Sequence, residues 1–441
     1  MKQLHVQSTS DYQALFFKTI TSIYILSKIL GLCPWSLQSN NGNVEFSASV
    51  LGITYTVIMF LVFLLWQIYI ISWRIAYDYI GASFTYIVPQ LVTICSSSLT
   101  ALSALLVAVT IGRNDMKNLM YKISQVDKSM FPNNYVHYKK GRNVLTVEVI
   151  VLLLVTGALY GYDLVIWFGV KGDNYVIYRG LVYLINALTI MQYVNFVNLL
   201  QHRFAVLNKQ INAAMEFQMN IRSKINHVDY THSFGSDRNS VAPLEISNIF
   251  KDEISLSEEK STTTNTRDEE IASIHKYREI YAILYDASCL INSIYGVQNL
   301  LQFITIFIVI VKGLYFLLTT LEDPSVTKVN SDMQFHAAML VFLWAVYHAL
   351  QLFWISISCH RTCTEANMTG AVVQKLILRK LDYETTIELN SFANQLLHTR
   401  ILFTALGFFS VNLNVLCSIS GAVMTYTIIL NQASTNTNHT K

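Results

Sequence analysis

Two groups of residues in this chain have types and spacings that could do chemistry. The first is polar and aromatic: Asp163 with Trp167 four residues on, Arg179 a little further, then Trp344, Tyr347 and His348 close together. A carboxylate, a guanidinium and an imidazole can exchange hydrogen bonds with hydroxyl groups, while tryptophan and tyrosine faces cover a C–H-rich ring. A neutral polyhydroxylated ligand, a sugar or polyol, needs that mixture. The same residues have a plainer use, because Asp163 and Arg179 could pair and tie two helices together.

The second group lies in Phe403 to Gln432, an apolar run long enough to cross a bilayer but dotted with Asn412, Asn414, Ser418, Ser420, Thr425, Thr427 and Asn431. Such groups are costly against lipid and suit a helix that faces other helices or water. Residues three or four apart share a helix face, so Cys417 or Ser418, Gly421, Thr425, Ile428 and Gln432 can form one stripe. The stripe reads either as a pore wall or as a close-packing surface with small residues at the contact. In the first reading a ring of Gln432 amides closes the pore, with Ile428 or Ile429 as the alternative constriction.

The elements that must position these groups follow from composition. Of 441 residues 53% are hydrophobic and 13% charged, too apolar for a soluble domain of this size, so the chain reads as polytopic. Runs of about 20 residues, the length that crosses the hydrocarbon, fall near 47–72, 84–111, 144–170, 176–200, 296–321, 335–358 and 403–431. Tyr12 to Trp35 is interrupted by Lys18 and Lys28 and reads as an interfacial or re-entrant helix. No cleavable leader is expected from Met1 to Asp11.

Lys and Arg gather after the second, fourth and sixth spans, as in Arg113, Lys117, Lys122, Lys139, Lys140 and Arg142, or Arg361, Lys375 and Arg379. That bias predicts an N-terminus inside and a C-terminus outside. The long connection after the fourth span turns polar and Ser/Thr-rich over about 217–270, which predicts a disordered insert. Around it, Phe204, Leu207 and Ile211, then Ile274, Tyr277, Tyr281 and Leu284, keep a helical apolar rhythm, predicting cytoplasmic extensions of the fourth and fifth spans. The segment Asn367 to Leu397 behaves alike, with Val372, Leu376, Leu378, Ile387 and Leu396. The expected organisation is an N-terminal segment (1–46), spans one to four (47–200), cytoplasmic extensions (201–295), spans five and six (296–358), cytoplasmic assembly helices (359–402), a seventh helix (403–432) and an outer tail (433–441).

No cofactor is called for. Cys359-His360 with Cys363 offers too few ligands for zinc, Tyr162-Asp163 lacks a Gly-x-Gly-Asp partner, and no His-Glu-x-x-His occurs, so an enzyme is not expected. The modest net charge of +3 is no nucleic-acid footprint. Lys312 sits within the fifth span with no evident carboxylate at its depth, and Pro89 is the one proline clearly inside a span.

The C-terminal residues resemble the last transmembrane helix of insect gustatory receptors: Thr425-Tyr426, five mostly apolar residues from Thr427 to Asn431, then Gln432, with Ala433 where phenylalanine is usual. Upstream, Gln395-Leu396-Leu397-His398 and the stretch Phe403 to Asn412 resemble the same family. Ile23 to Ser49, Tyr162-Asp163 to Trp167 and Arg203-Phe204-Ala205-Val206-Leu207-Asn208 are similar to its fructose-receptor-like branch. The resemblance implies an all-α seven-helix channel in the plasma membrane of chemosensory neurons or internal nutrient-sensing cells. It implies a homotetramer, or a heteromer with other gustatory receptors, held together below the membrane around a pore lined by the seventh helix. Cations would pass when a sugar or polyol binds. The alternatives left open are a receptor signalling through a G protein and a bitter-type gustatory receptor with a non-sugar ligand.

Overall fold

The computed structural model describes residues 9–40, 43–80, 84–131, 135–171, 174–233, 246–322, 331–379 and 382–439. Their helices are α1 (Thr9–Ile29), α2 (Val50–Trp73), α3 (Phe84–Val109), α4 (Ile111–Met130), α5 (Tyr135–Lys171), α6 (Asn174–Ser233), α7 (Ile246–Glu322), α8 (Ser331–Ile377), α9 (Tyr383–His398) and α10 (Leu413–His439). A π-helical turn, Arg74–Asp78, follows α2, and two antiparallel hairpins, β1 (Trp35–Asn40) with β2 (Asn43–Ala48) and β3 (Thr404–Ala405) with β4 (Phe409–Ser410), complete the described elements.

Among the described residues seven helices are long and apolar enough to cross a membrane, and they correspond to the seven runs read from the sequence. The fold is all-α in its spanning part. α1 is not one of the seven, in keeping with the two lysines that interrupt it. Part of the predicted insert, 234–245, lies outside the described residues.

One boundary differs from expectation. The seventh span begins at Leu413 rather than Phe403, because Phe403 to Asn412 folds back on itself instead of continuing the helix. Phe408 N donates to Ala405 O at 3.0 Å and Val411 N to Phe403 O at 2.8 Å. The turn puts Leu406 at φ 51° and Gly407 at φ 79°, the left-handed region that a hairpin turn of type I′ requires at both central positions.

The chain divides into two compact units. The first comprises 1–199, 287–362 and 402–441, and within it α6 runs through the core: Ile185, Leu188, Met191, Tyr193 and Val197 are all fully buried. Tyr193 Oη lies 3.1 Å from Cys359 Sγ on α8, with its ring against Tyr295 of α7 and Phe403. α2 and α5 instead present apolar residues such as Leu65, Val147 and Leu154 outward, the pattern of a lipid-facing helix.

The second unit comprises 200–286 and 363–401. Phe204, Leu207 and Ile211 of α6 and Ile274, Tyr281 and Leu284 of α7 are buried, as their spacing predicts. Tyr281 meets Phe204 and, through its other edge, Phe392 of α9. Arg278 fastens α9 with bonds to Glu388, Ser391 and Gln395 at 2.9–3.0 Å. α9 buries Thr385, Leu389 and Phe392 rather than the expected Ile387, and Leu378 is also exposed, so the apolar residues read from sequence there split between two faces.

Candidate functional site

The first candidate group assembles where α5, α6 and α8 meet. Asp163 of α5, almost wholly buried, forms an ion pair with Arg179 of α6. The two helices come close there because α6 carries glycine beside the pair: a Cβ on Gly180 would stand 2.6 Å from the Tyr160 ring. One turn beyond Arg179, the Tyr183 ring lies 4.7 Å from Trp344 and 6.1 Å from His348. Trp344 stacks on His348 with an interplanar angle of 25°, and Tyr347 sets its edge against both. Ile166, Leu340, Leu159 and Tyr162 close the surroundings with apolar surface.

Hydrogen bonding fixes the polarity of this box. His348 Nδ1 lies 2.9 Å from Gln351 Oε1, and a carbonyl oxygen only accepts, so Nδ1 carries the proton. In the neutral ring Nε2 is then a lone-pair acceptor. Nε2 is buried and has no hydrogen-bond partner among the described residues, a costly state for a polar atom away from water. Thr156 meets the Tyr347 hydroxyl at 3.3 Å. The box therefore offers one open acceptor between aromatic faces, with a carboxylate–guanidinium pair close by on the same helices; such a set suits a ligand that brings hydroxyl donors and a C–H-rich face.

Asp163, Arg179, Trp344, Tyr347 and His348 are thus brought into one neighbourhood. The side chain of Trp167, on α5, lies outside the described residues. Tyr183, Gln351 and Thr156 were not singled out in the sequence. Tyr183 follows Arg179 by four and Gln351 follows His348 by three, spacings that put each on its neighbour's helix face. Lys312, for which the sequence offers no carboxylate at its depth, donates instead to an amide oxygen, Gln90 Oε1 of α3, at 3.0 Å.

The second group is carried by α10. This helix is held on one side by Val423 and Thr427, both buried, and by the Tyr426 ring against Phe307 of α7. Ser418, Gly421, Thr425, Ile428, Ile429 and Gln432 are all exposed. At 100° per residue, the stripe from Ser418 to Gln432 is centred roughly 150° from the Val423–Thr427 line. Asn414, also exposed, falls on the same stripe and extends it by one turn. Ala433 continues the helix, with its side chain outside the described residues.

A family model described as 7tm chemosensory receptor matches residues 20–436. The chain belongs to the 7tm chemosensory receptor family. This chemosensory receptor is 28% identical to the putative gustatory receptor 28b of Drosophila melanogaster over 37% of its own length, a stretch spanning 34% of that relative. It is 23% identical to the gustatory receptor for sugar taste 43a of the same fly, with 93% of this chain and 96% of the relative covered. Its fold is that of the insect olfactory receptor OR5 from Machilis hrabei, with a TM-score of 0.61 at 13% identity over 96% of this chain and 100% of the other. Membership places the receptor among chemosensory membrane proteins and not among enzymes.

Proposed function

We propose that this receptor is a gustatory receptor acting as a ligand-gated, non-selective cation channel opened by a sugar or polyol, four copies surrounding a pore lined by α10. The observation that carries the reading is the exposed polar stripe of α10. Only 11% of the apolar stretch of this span is buried, against 61% in the second and fourth spans. The first and third spans are also poorly buried, at 22% and 17%, but their outward residues are mostly aliphatic and suit lipid. Ser418 and Thr425 return their hydroxyl bonds to Asn414 O and Gly421 O, but the exposed amides of Asn414 and Gln432 suit lipid poorly, and facing a water-filled axis shared with other copies removes that cost.

In this reading the basic connections face the cytoplasm, the N-terminus lies inside, and Gln432, Ile428 and Ile429 narrow the outer end of the pore in the plasma membrane. The box at Trp344, Tyr347 and His348, flanked by Asp163 and Arg179, is the ligand site. The ligand opens the channel because it binds the open arrangement more tightly than the closed one. The sugar class draws on the hydroxyl-complementary box and on the full-length similarity to a receptor for sugar taste.

Expression of the chain alone in a non-insect cell, with whole-cell current recorded against sugars, inositols and bitter compounds, tests this directly. A sugar- or polyol-evoked cation current is expected. Confirmed surface protein with no current to any sugar or polyol would sink the reading. Ala433→Phe, which restores the family's usual aromatic, is expected to lower basal leak.

A further inference from the structure

We infer that the surface shared by α1 and α5 is a binding site for an anionic phospholipid, its headgroup on Lys18, Lys139, Lys140 and Arg142 and its acyl chains on the aliphatic residues further along both helices. The two helices run side by side in the same direction. Thr19 Oγ1 donates to Tyr138 O at 3.4 Å, and three residues further on Ser22 meets Thr146 at 2.7 Å. Behind these bonds Ile23, Leu145 and Val149 share one apolar cluster. This pairing brings Lys18, one residue before Thr19, beside the first turns of α5, where Lys139 and Lys140 are exposed and Arg142 half-exposed.

None of the four cations has a carboxylate partner among the described residues. The carboxylate next along α5, Glu148, is instead bonded to Asn195 of α6. Above the cations the outward residues become aliphatic: Ile25 and Ile29 on α1, Val144, Val147 and Val151 on α5. Tyr138 begins one of the spanning helices, so the change from charge to hydrocarbon falls at the depth where a headgroup gives way to its chains.

Charge and aliphatic wall therefore share one axis, and the complementary molecule carries negative charge at one end and two hydrocarbon chains at the other. A free phosphate satisfies only the first half.

The site does not depend on the channel reading or on which end lies inside, because a nanodisc presents the same lipid in both leaflets. The test uses the purified full chain in phosphatidylcholine discs doped with phosphatidylinositol 4,5-bisphosphate, with lipids retained through detergent exchange counted by native mass spectrometry. Retention of the anionic lipid well above its share of the disc is expected, and each of Lys18→Gln, Lys139→Gln and Lys140→Gln should reduce it about fivefold. Lysine-to-arginine variants should retain it as the parent does, which separates charge from misfolding. Equal retention of anionic and zwitterionic lipid, an unchanged triple glutamine variant, or equally tight binding of soluble inositol trisphosphate would overturn the assignment.

Discussion

Asn292 of α7 holds Thr404 and its neighbour Leu402 with both ends of one side-chain amide. Its Nδ2 donates to Leu402 O at 2.6 Å and its Oδ1 accepts from Thr404 N at 3.1 Å, so the amide stands where a neighbouring strand would. Phe303 and Phe409 meet edge to face a few turns on. This anchorage fixes the reversal at Leu406 and hence the point at which α10 starts.

The amide contributes about 1 kcal/mol through each bond. Asn292→Ala should therefore lower the unfolding temperature of the purified receptor, and Asn292→Asp, which keeps the acceptor for Thr404 but loses the donor to Leu402, should fall between the two. An alanine variant as stable as the parent would mean that the hairpin is held by its aromatic contact alone.

The start of α10 also shows where sequence reasoning runs out. Hydropathy counts Phe403 to Asn412 as one more stretch of membrane helix, and nothing in a local window signals that an asparagine more than a hundred residues away captures its backbone. The spans themselves were legible because a run of about 20 apolar residues has few other uses. The stripe of α10 was legible for the same geometric reason, since 3.6-residue periodicity places Ser418, Gly421 and Thr425 together whatever they face. Tyr183 and Gln351 were not, because their roles arise only when α6 and α8 pack, and one half-buried tyrosine or buried glutamine looks like any other. In α9 the choice between Ile387 and Leu389 was a matter of phase, decided by the bonds of Arg278 to Glu388, Ser391 and Gln395.

The Asp163–Arg179 pair joins α5 to α6, with Asp163 shielded and Arg179 about a quarter exposed. Removing one member leaves the other charge with less compensation, at a cost of about 2–4 kcal/mol after allowance for the solvent near Arg179. Asp163→Asn and Arg179→Gln should each lower thermal stability and surface expression, and the double variant should recover part of the loss. Additive losses in the double variant would show that the two side chains act independently.

Cys33 follows α1 and precedes β1. Burial pushes its thiol from an ordinary value of 9.0 up to about 12, against the smaller opposing effects of the Trp35 backbone and Lys28. The thiolate is the reactive form, so iodoacetamide should modify Cys33 in the folded receptor at least about tenfold more slowly at pH 8 than in the denatured chain, the higher nucleophilicity of a high-pKa thiolate offsetting part of its scarcity. The sign is that of an acid held protonated by the fold: its contribution to stability is intact below pH 9.0 and is lost as pH rises toward about 12. Peptide mass spectrometry reads the modification, and equal rates in the two states would show that the thiol is open to solvent.

The faces of α10 lead to the sharpest expectation. If the stripe lines an aqueous axis, a thiol placed on it reacts with a charged, membrane-impermeant methanethiosulfonate and alters the current, whereas a thiol on the packed side does not. Cys417 is naturally exposed near the stripe, so Cys417→Ser provides the background. There, Gly421→Cys and Thr425→Cys should lose most of the agonist-evoked current within seconds of reagent, faster in the presence of agonist. Val423→Cys and Thr427→Cys, on the side turned toward α7, should be unaffected. Lipid contact predicts a different pattern, since a thiol in hydrocarbon is neither ionised nor reached by the reagent, and then no position on the helix would react. Reaction at Val423 with protection at Gly421 would place the axis on the opposite face and overturn the assignment of the stripe.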